Sequence, residues 1–536
     1  MPFIFIPLLL LAVHIYFFIT VDNQDYGINT DPDYAYLLSA IDISQLGKST
    51  MVLHPGTTYQ LLGHLVMRCT YYLHGNSAVD DFPTSVIKDP TFYLNVLQGA
   101  FSMLNIILVF IIGVLTYSFT KKIVTGLFIQ FTPLLSPQII IFGFRKVTTD
   151  TLLISISLTM MILLVNRLHA GKFGRDRKEI YIFSVLFGIV VGFGLATKIT
   201  FLPLAVLPLF IIPAFLPALL YLITAAAAVI IFTLPIISQY PTFFKFLFTI
   251  STHKGIYGHG DKSILDIDDY SRGMFLVIKE NIPFIIIFLA SIAAIVLVYT
   301  RWKSKKIPRT QARDIGFKLL VGITATQIIG ILFVARHFKS KYLLPELCLS
   351  ALALYLVYLK AEQFYPGAML PGHAVKKRFT LRCAVGVFFC AFSFLQTIQG
   401  VSDYHRTRSD KLREAMQIEK KLNSEFKDYC IVYYYNASSV IFGLEFGNQW
   451  TPLYQELLNR VYGEKYFYNN KGHYVVSWNK KARIPLEDLK SRYNNKILFF
   501  GAPFPELYRK VAIPLPKFPL KDVFGGEYVT LYKLME

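Results

Sequence analysis

Acidic and basic residues stand at the ends of several long apolar runs in this chain of 536 residues. An aspartate can take a proton from a hydroxyl group as a general base. Lysine and arginine bind phosphate oxygens, arginine through a fork of donors and lysine as a compact charge. The candidates are Asp31, Asp33, His54, Arg145, Lys146, Asp150, Lys198, Arg336, His337 and Lys341. We expect all of them on one side of the protein.

The first acids occur in "NTDPDYAYL", directly behind the N-terminal apolar run. Asp is favoured at helix N-caps, so a helix that begins after Pro32 is an alternative explanation of Asp31 and Asp33. The cations also have structural explanations. Lys198 can extend from a helix end to a lipid headgroup, as can Arg336 and Lys341. Arg145, Lys146 and Asp150 can form a local ion pair.

The composition is that of a membrane protein. Hydrophobic residues make up 54% of the chain and charged residues only 16%, against about 25% charged in soluble domains. The mean hydropathy is +0.47. Apolar runs long enough to cross a bilayer of ~30 Å recur along the chain. We predict a polytopic α-helical membrane protein with about eleven spans, near 2–20, 94–117, 123–142, 149–167, 180–197, 199–215, 218–238, 281–300, 315–335, 341–359 and 381–399.

The net charge of +20 does not indicate a nucleic-acid partner. Nucleic-acid binders gather basic residues and exposed aromatic residues on one soluble face, whereas here the basic residues lie in short loops. One set of alternate loops, at 121–122, 167–179, 301–314 and 376–379, carries most of them. By the positive-inside rule that set is cytoplasmic. The loops 21–93 and 239–280 and the C-terminal segment therefore face outward.

We divide the chain into a transmembrane domain, 1–400, and an external α/β domain, 401–536. The outward loop 21–93 contains "YLLSAIDISQLGK" and "TTYQLLGHLVMRCTYYLHG", which are typical of amphipathic helices in the membrane interface. The segment after 400 regains charge. Its short apolar runs "CIVYYYN", "HYVVSWN", "KILFFG" and "YVTLYKL" predict strands, and "SDKLREAMQIEKKLNSEF" and "TPLYQELLNRVYG" predict helices.

Three motifs together resemble one family. "DPDYAYL" with "HPG" some twenty residues later is similar to the first external loop of GT-C glycosyltransferases, such as protein O-mannosyltransferases and the lipid A aminoarabinose transferase. "GFGLATKITFLPLAVLP" (192–208) resembles a second segment of these enzymes, and "RHFKSKYLLPELCLSALAL" (336–354) resembles a third. The motifs occur in family order and cover roughly residues 1–400.

The resemblance implies a GT-C-like enzyme that moves a sugar from a polyprenyl-phosphate donor to a glycan, lipid or protein acceptor. It also implies direct displacement with inversion, with one carboxylate as base. We rank Asp33 ahead of Asp31 because Tyr34 follows it, as an aromatic residue does in the family. The expected donor-phosphate ligands are Lys198, Arg336, Lys341 and Arg145. The expected substrate contacts are His54, Asp150, His337, His253 and His259.

We predict no metal site and no certain cofactor. His253, His259 and Asp261 could bind a divalent metal, but their loop is rich in glycine. The short loops and compact chain favour a bacterial inner membrane, with the site and the C-terminal domain outside the cytoplasm. The alternative function is a flippase or exporter of lipid-linked sugars, or another non-enzymatic protein of glycan assembly. A transporter needs polar groups along the whole path, so clustering on one side favours the transferase.

The predicted orientation can be tested by cysteine labelling of intact cells. A membrane-impermeant thiol reagent should reach a cysteine placed at Gly258 or Lys480, because both lie in segments expected outside. It should not reach a cysteine at Lys305, which lies in a basic loop expected inside. Labelling at Lys305 in unbroken cells would reverse the orientation.

Overall fold

The fold is taken from a computed structural model. It describes residues 2–20, 33–52, 55–74, 80–169, 177–253, 261–263, 266–304, 314–364, 372–469, 472–479, 483–503 and 519–535. Three candidate site residues, Asp31, His54 and His259, lie outside this part of the chain.

Helices dominate the described residues. In chain order they are α1 Phe5–Thr20, α2 Asp33–Leu46, α3 Thr57–Leu73, α4 Phe82–Lys88, α5 Pro90–Thr120, α6 Ile123–Gln130, α7 Pro137–Phe144, α8 Thr149–His169, α9 Arg177–Thr197, α10 Leu207–Ile211, α11 Phe215–Phe232, α12 Tyr240–Thr252, α13 Ile267–Glu280, α14 Ile282–Lys303, α15 Ile315–Ala335, α16 Leu344–Cys348, α17 Ser350–Phe364, α18 Gly372–Ser424, α19 Val440–Trp450, α20 Gln455–Tyr462 and α21 Leu486–Arg492. Short 3-10 helices are Pro2–Ile4, Thr132–Leu135, Ile199–Val206, Leu234–Gln239 and Ser340–Leu343.

The protein is an integral membrane protein with a small C-terminal sheet. Seven helices of the described chain are long and apolar enough to cross a membrane, and an eighth is added if the bent pair Ser340–Cys348 and Ser350–Gln363 forms one span. The seven are Pro2–Thr20, Pro90–Thr120, Thr149–His169, Arg177–Thr197, Phe215–Phe232, Ile282–Lys303 and Ile315–Ala335. These agree with the predicted helical membrane architecture.

Seven of the eleven predicted runs correspond to one long apolar helix each, and an eighth corresponds to the bent pair. The run 123–142 is broken into two helices of eight residues, α6 and α7, joined by a 3-10 turn. The run 199–215 forms a 3-10 helix and the short α10. Proline lacks an N–H donor and clashes with the preceding turn, which explains both breaks, since Pro133, Pro137 and Pro203 stand in them. The run 381–399 lies inside the 53-residue helix α18.

The described chain forms two compact units. The first contains Met1–Ile15, Val52–Tyr59 and Gly99–Val401, and the second contains Tyr16–Met51, Gln60–Gln98 and Ser402–Glu536. The division after Val401 falls next to the predicted domain boundary at 400. In addition, the second unit joins most of the first external loop to the C-terminal segment.

Close packing of two helices characterises the first unit. Helices α9 and α11 meet where Gly188 and Gly192, one turn apart, face small residues. A Cβ atom at Gly192 would lie 2.6 Å from the carbonyl oxygen of Ala225 and would also collide with the Cβ of Ala228. Membrane helices pack through such small residues because lipid supplies little hydrophobic drive for their association.

Side chains also connect the helix ends of the first unit that lie next to the basic loops. Asp314 caps α15 by accepting from the N–H of Phe317, and both of its oxygens accept from the Nζ of Lys360, at 2.6 Å each. Near the same helix ends, His169 stacks on Phe119 with ring centroids 5.9 Å apart. This is the end at which the basic loops predict the cytoplasm.

A six-stranded sheet organises the C-terminal part of the second unit. Its strands are β1 Cys430–Tyr433, β2 Tyr466–Asn469, β3 Tyr474–Ser477, β4 Ile497–Gly501, β5 Leu520–Gly525 and β6 Thr530–Leu534. The order is β3-β2-β1-β4-β6-β5, with β1 parallel to β2 and β4 and the remaining pairs antiparallel. The predicted α/β character is confirmed: the four predicted runs contain β1, β3, β4 and β6.

Helices α2 and α3 form where the first external loop predicted helices. The prediction that α2 lies in the membrane interface does not fit its burial, because every residue from Asp33 to Asp42 is buried. A helix in the membrane interface exposes a polar face. Instead, α2 packs on α19 of the C-terminal segment, within the second unit.

We expect Gly192→Leu to destabilise the first unit, because overpacking a tight contact typically costs about 1–3 kcal/mol. The measurement is the thermal unfolding midpoint of the purified protein in detergent. Gly99→Leu is the matched control, since no atom lies within 4 Å of a Cβ at Gly99. Equal midpoints for the two variants would contradict the proposed packing.

Candidate functional site

A buried carboxylate lies between two lysines in the first unit. The Nζ of Lys198 donates to Oδ1 of Asp150 at 2.6 Å, and the Nζ of Lys341 lies 3.9 Å from its Oδ2. Lys198 and Asp150 are 3% and 1% exposed, and Lys341 is 17% exposed. The structure thus brings together three sequence-predicted residues that are far apart in the chain.

Helix ends position these side chains. Asp150 lies in the first turn of α8, and Lys198 follows the last residue of the next helix, α9, so the antiparallel pair brings them to one end. Local hydrogen bonds hold the start of α8. The hydroxyl of Thr148 accepts from the N–H of Asp150, and the hydroxyl of Thr151 donates to the carbonyl of Lys146.

Two further cations lie on the segment before α8. Arg145 and Lys146 are 3% and 4% exposed, although both belong to a short connection between α7 and α8. Arg145 and Lys146 precede Asp150 in the chain by five and four residues, and Lys198 and Lys341 lie against its carboxylate. We call these five residues the basic cluster. Lys198 and Lys341 share the carboxylate of Asp150, so these three side chains together carry more positive than negative charge, which favours an anion.

The environment changes the acidity of Lys198. Burial lowers the pKa of this ammonium group from 10.5 to about 8, because the charged form loses its hydration. The carboxylate of Asp150 acts in the opposite direction, whereas the positive charges of Lys341 and Lys339 lower the pKa further. Aromatic rings also contact the cations: the Nζ of Lys198 lies 4.8 Å from the ring centroid of Tyr342.

Gly56 and the first turn of α3 are fixed beside Lys198. The N–H of Gly56 donates to the carbonyl of Thr197, and the hydroxyl of Thr57 donates to the carbonyl of Ala196. The hydroxyl of Thr58 lies 2.5 Å from that of Thr197. Gly56 has a φ of +69°, which explains glycine in the "HPG" motif. Gly56 of the "HPG" motif and Thr197 of the second motif therefore meet in the first unit.

The third motif begins with residues that have other contacts. The guanidinium of Arg336 donates to the carbonyls of Ser251 and Ser263, at 2.6 and 3.1 Å. The Nε2 of His337 lies 3.4 Å from the carbonyl of Ile250. Burial lowers the pKa of His337, which favours its neutral form. These contacts fasten the end of α12 and the segment after it.

His253, the remaining described candidate, follows α12 and forms an isolated bridge with Lys262. Its Nδ1 lies 2.9 Å from the hydroxyl of Thr252. Within the described ranges, no group of three or more His, Cys, Asp or Glu side chains is arranged to hold a metal ion.

Asp33 is the first residue of α2 and is fully buried in the second unit. The N-terminal end of a helix stabilises a carboxylate through its dipole and its N–H groups. Tyr34, the aromatic residue that ranked Asp33 ahead of Asp31, is fully buried as well.

Three residues of the first unit were not among the candidates named from the sequence. Thr148 holds the N–H of Asp150, and the ring of Tyr342 lies beside Lys198. Glu346, on α16, has two buried carboxyl oxygens without a hydrogen-bond partner. An acid inside the apolar run "LLPELC" was the sequence signal for Glu346, and adjacency to Lys341 was the signal for Tyr342.

No family model matches the chain, and no curated protein matches it. Two solved structures are similar to it, both of ArnT from Cupriavidus metallidurans. The structure bound to undecaprenyl phosphate is 12% identical with a TM-score of 0.47, and the apo structure is 13% identical with a TM-score of 0.48. Both likenesses cover 98% of this chain and 97% of the other. At this level of similarity they carry no argument about the chemistry of this chain.

The affinity of the basic cluster for an anion should fall as the pH rises above about 8, because Lys198 then loses its proton. A charge-assisted contact is worth ~1.5–3 kcal/mol, so the loss should be roughly ten- to hundredfold. The measurement is binding of farnesyl phosphate to the purified protein between pH 7 and pH 9.5.

The variant Lys198→Arg is the control, since arginine keeps its charge throughout this range. Its affinity should change less with pH than that of the unaltered protein. A constant affinity of the unaltered protein from pH 7 to pH 9.5 would exclude Lys198 as an anion ligand.

Proposed function

We propose that this protein is a membrane glycosyltransferase of the GT-C type. It transfers a sugar from a polyprenyl-phosphate donor to an acceptor that is a glycan, a lipid or a protein. The three motifs support the proposal from sequence, and the basic cluster supports it from structure.

The two lysines that share the carboxylate of Asp150 are the observation that carries the proposal. A phosphate that leaves the sugar gains negative charge, and cations fixed in a site that excludes water stabilise that charge strongly. Lys198 and Lys341 are already oriented by Asp150, so little reorganisation is needed when the anion forms. We assign the donor phosphate to these two lysines, with Arg145 as a further ligand.

Asp150 has a positioning function in this proposal. Its carboxylate holds Lys198 at 2.6 Å and reduces the mutual repulsion of the buried cations. Arg336 and His337, which we also expected near the substrate, would act on the segment 250–263 through the carbonyls that they contact.

Asp33 is the proposed general base. It would take the proton of the acceptor hydroxyl while that oxygen attacks the anomeric carbon and the phosphate departs, which inverts the configuration. Its position at the start of α2 and the Tyr34 that follows it support this assignment. Asp31 is the second choice.

The orientation of the basic loops supports an extracytoplasmic site in a bacterial inner membrane. The run ends that carry Asp150, Lys198 and Lys341 are the ones opposite to these loops. The donor tail would lie among the spans, and the acceptor would enter from outside.

The test is mass analysis of glycans and lipid-linked sugars in cells with and without the gene. Deletion should remove one sugar from a glycan, lipid or protein and leave its lipid-linked donor unconsumed. Asp33→Asn keeps the shape of the side chain and removes its basicity, so turnover should fall at least ~10²-fold. Lys198→Met should lower donor binding roughly ten- to hundredfold.

Asp268→Asn is the matched control, because Asp268 is an exposed acid in the first turn of another helix, α13. It should restore the missing sugar fully. If Asp33→Asn, Asp31→Asn and the double variant also restore it fully, these acids are helix caps and the proposed base is wrong. If deletion leaves every sugar in place, the transferase function itself is wrong.

A further inference from the structure

Helix α2, which carries Asp33, is held at both ends by the C-terminal segment. We infer that this segment positions the proposed base, with Gly443, Gly447 and Tyr454 as positioning residues. The inference rests on the proposed function and concerns residues of the second unit alone.

The first contact lies next to Asp33. Helix α19 crosses α2 at two glycines, Gly443 and Gly447. A Cβ at Gly443 would collide with the ring of Tyr34, with Cδ2 only 2.6 Å away. A Cβ at Gly447 would lie 2.7 Å from the backbone carbonyl oxygen of Tyr34. Real Cβ atoms do not approach other atoms so closely, so any side chain here must push the residue that follows Asp33.

Helix α19 is not free to yield. The Nε1 of Trp478, beyond the end of β3, donates to the carboxylate of Glu445 at 2.7 Å. Gln449 donates to the other oxygen of Glu445, and the hydroxyl of Ser439 caps the helix by accepting from the N–H of Phe442. Because Trp478 ties α19 to the sheet, we expect a clash at either glycine to move α2.

The second contact fixes the far end of α2. Asp42 is fully buried and accepts hydrogen bonds from the N–H and the hydroxyl of Thr50 and from the hydroxyl of Tyr454, the last at 2.9 Å. Tyr454 precedes α20 of the C-terminal segment. Helix α2 is therefore fixed in rotation by the glycines and in its axial position by Asp42.

This arrangement has a catalytic meaning if Asp33 is the base. A misplacement of about 1 Å at a reacting group can cost ~10²-fold in rate. The domain outside the membrane would thus contribute to turnover through α2, without contacting the reacting atoms itself.

The test uses purified full-length protein and solubilised membranes of gene-deleted cells as the source of donor and acceptor. Transfer of the sugar identified by the deletion is followed by mass spectrometry, and donor-site binding is followed with farnesyl phosphate. Gly447→Ala and Gly443→Ala should lower the rate at saturating membrane extract roughly ten- to hundredfold. Farnesyl phosphate affinity should remain unchanged. Tyr454→Phe, which removes a hydrogen bond and adds no bulk, should lower the rate in the same direction.

Gly525→Ala is the matched control, since it alters the same domain where no atom lies within 4 Å. It should retain the full rate. The two glycine variants should also respond differently to a second substitution at Tyr34. Replacing the ring by a smaller side chain in Tyr34→Leu should relieve the clash of Gly443→Ala. It should not relieve the clash of Gly447→Ala, because the Cβ there meets the backbone of residue 34. Each double variant is compared with Tyr34→Leu alone.

Asp33→Asn, assayed in parallel, tests whether Asp33 is the base separately from whether the C-terminal segment positions it. If Asp33→Asn is slow but both glycine variants and Tyr454→Phe transfer at the full rate, the positioning inference is wrong and the proposed base stands. If the glycine variants lose farnesyl phosphate binding together with rate, their effect is general misfolding, which also overturns the inference. If Asp33→Asn transfers sugar at the full rate, Asp33 is not the base, and the positioning inference is wrong as well.

Discussion

The ion pair of Asp150 and Lys198 is the constraint on which the site depends. It joins the first turn of α8 to the residue after α9, and both side chains are buried. Removing one partner of such a pair leaves an uncompensated buried charge, which typically costs about 3–5 kcal/mol. The pair therefore fixes two helix ends against each other. It also holds an ammonium group in place beside the Nζ of Lys341, where the proposed leaving phosphate would be stabilised.

Close backbone approach is the second constraint. Glycines at 188 and 192 allow α9 and α11 to meet in the first unit, and glycines at 443 and 447 allow α19 to meet α2 in the second. In the first case the result is a tight pair of membrane helices. In the second case the result is a helix, led by Asp33, whose position follows the C-terminal sheet domain. The same small side chain thus serves packing in one unit and alignment of a candidate catalytic residue in the other.

The sequence and the structure agree best where a pattern is long or chemically simple. Apolar runs such as 149–167 and 315–335 contain uninterrupted helices, and the alternating runs after 430 contain strands. Agreement is poorer where proline interrupts an apolar run. At 123–142 and 199–215 hydropathy alone predicted one span each, but the missing N–H groups produce short helices and 3-10 turns. Helix α2 was predicted as a helix, yet its burial depends on α19, some 400 residues later.

The sequence by itself determined that this is a helical membrane protein, and it supplied the types of residue in the candidate site. These follow from composition and local spacing, which need no knowledge of distant contacts. Only the tertiary structure decided which charges meet. It paired Asp150 with Lys198 and Lys341, directed Arg336 to the carbonyls of Ser251 and Ser263, and set Tyr34 against Gly443. The reason is physical: the strength of a buried ion pair or a steric contact depends on distances of a few ångströms between residues far apart in sequence, and no local pattern encodes those distances.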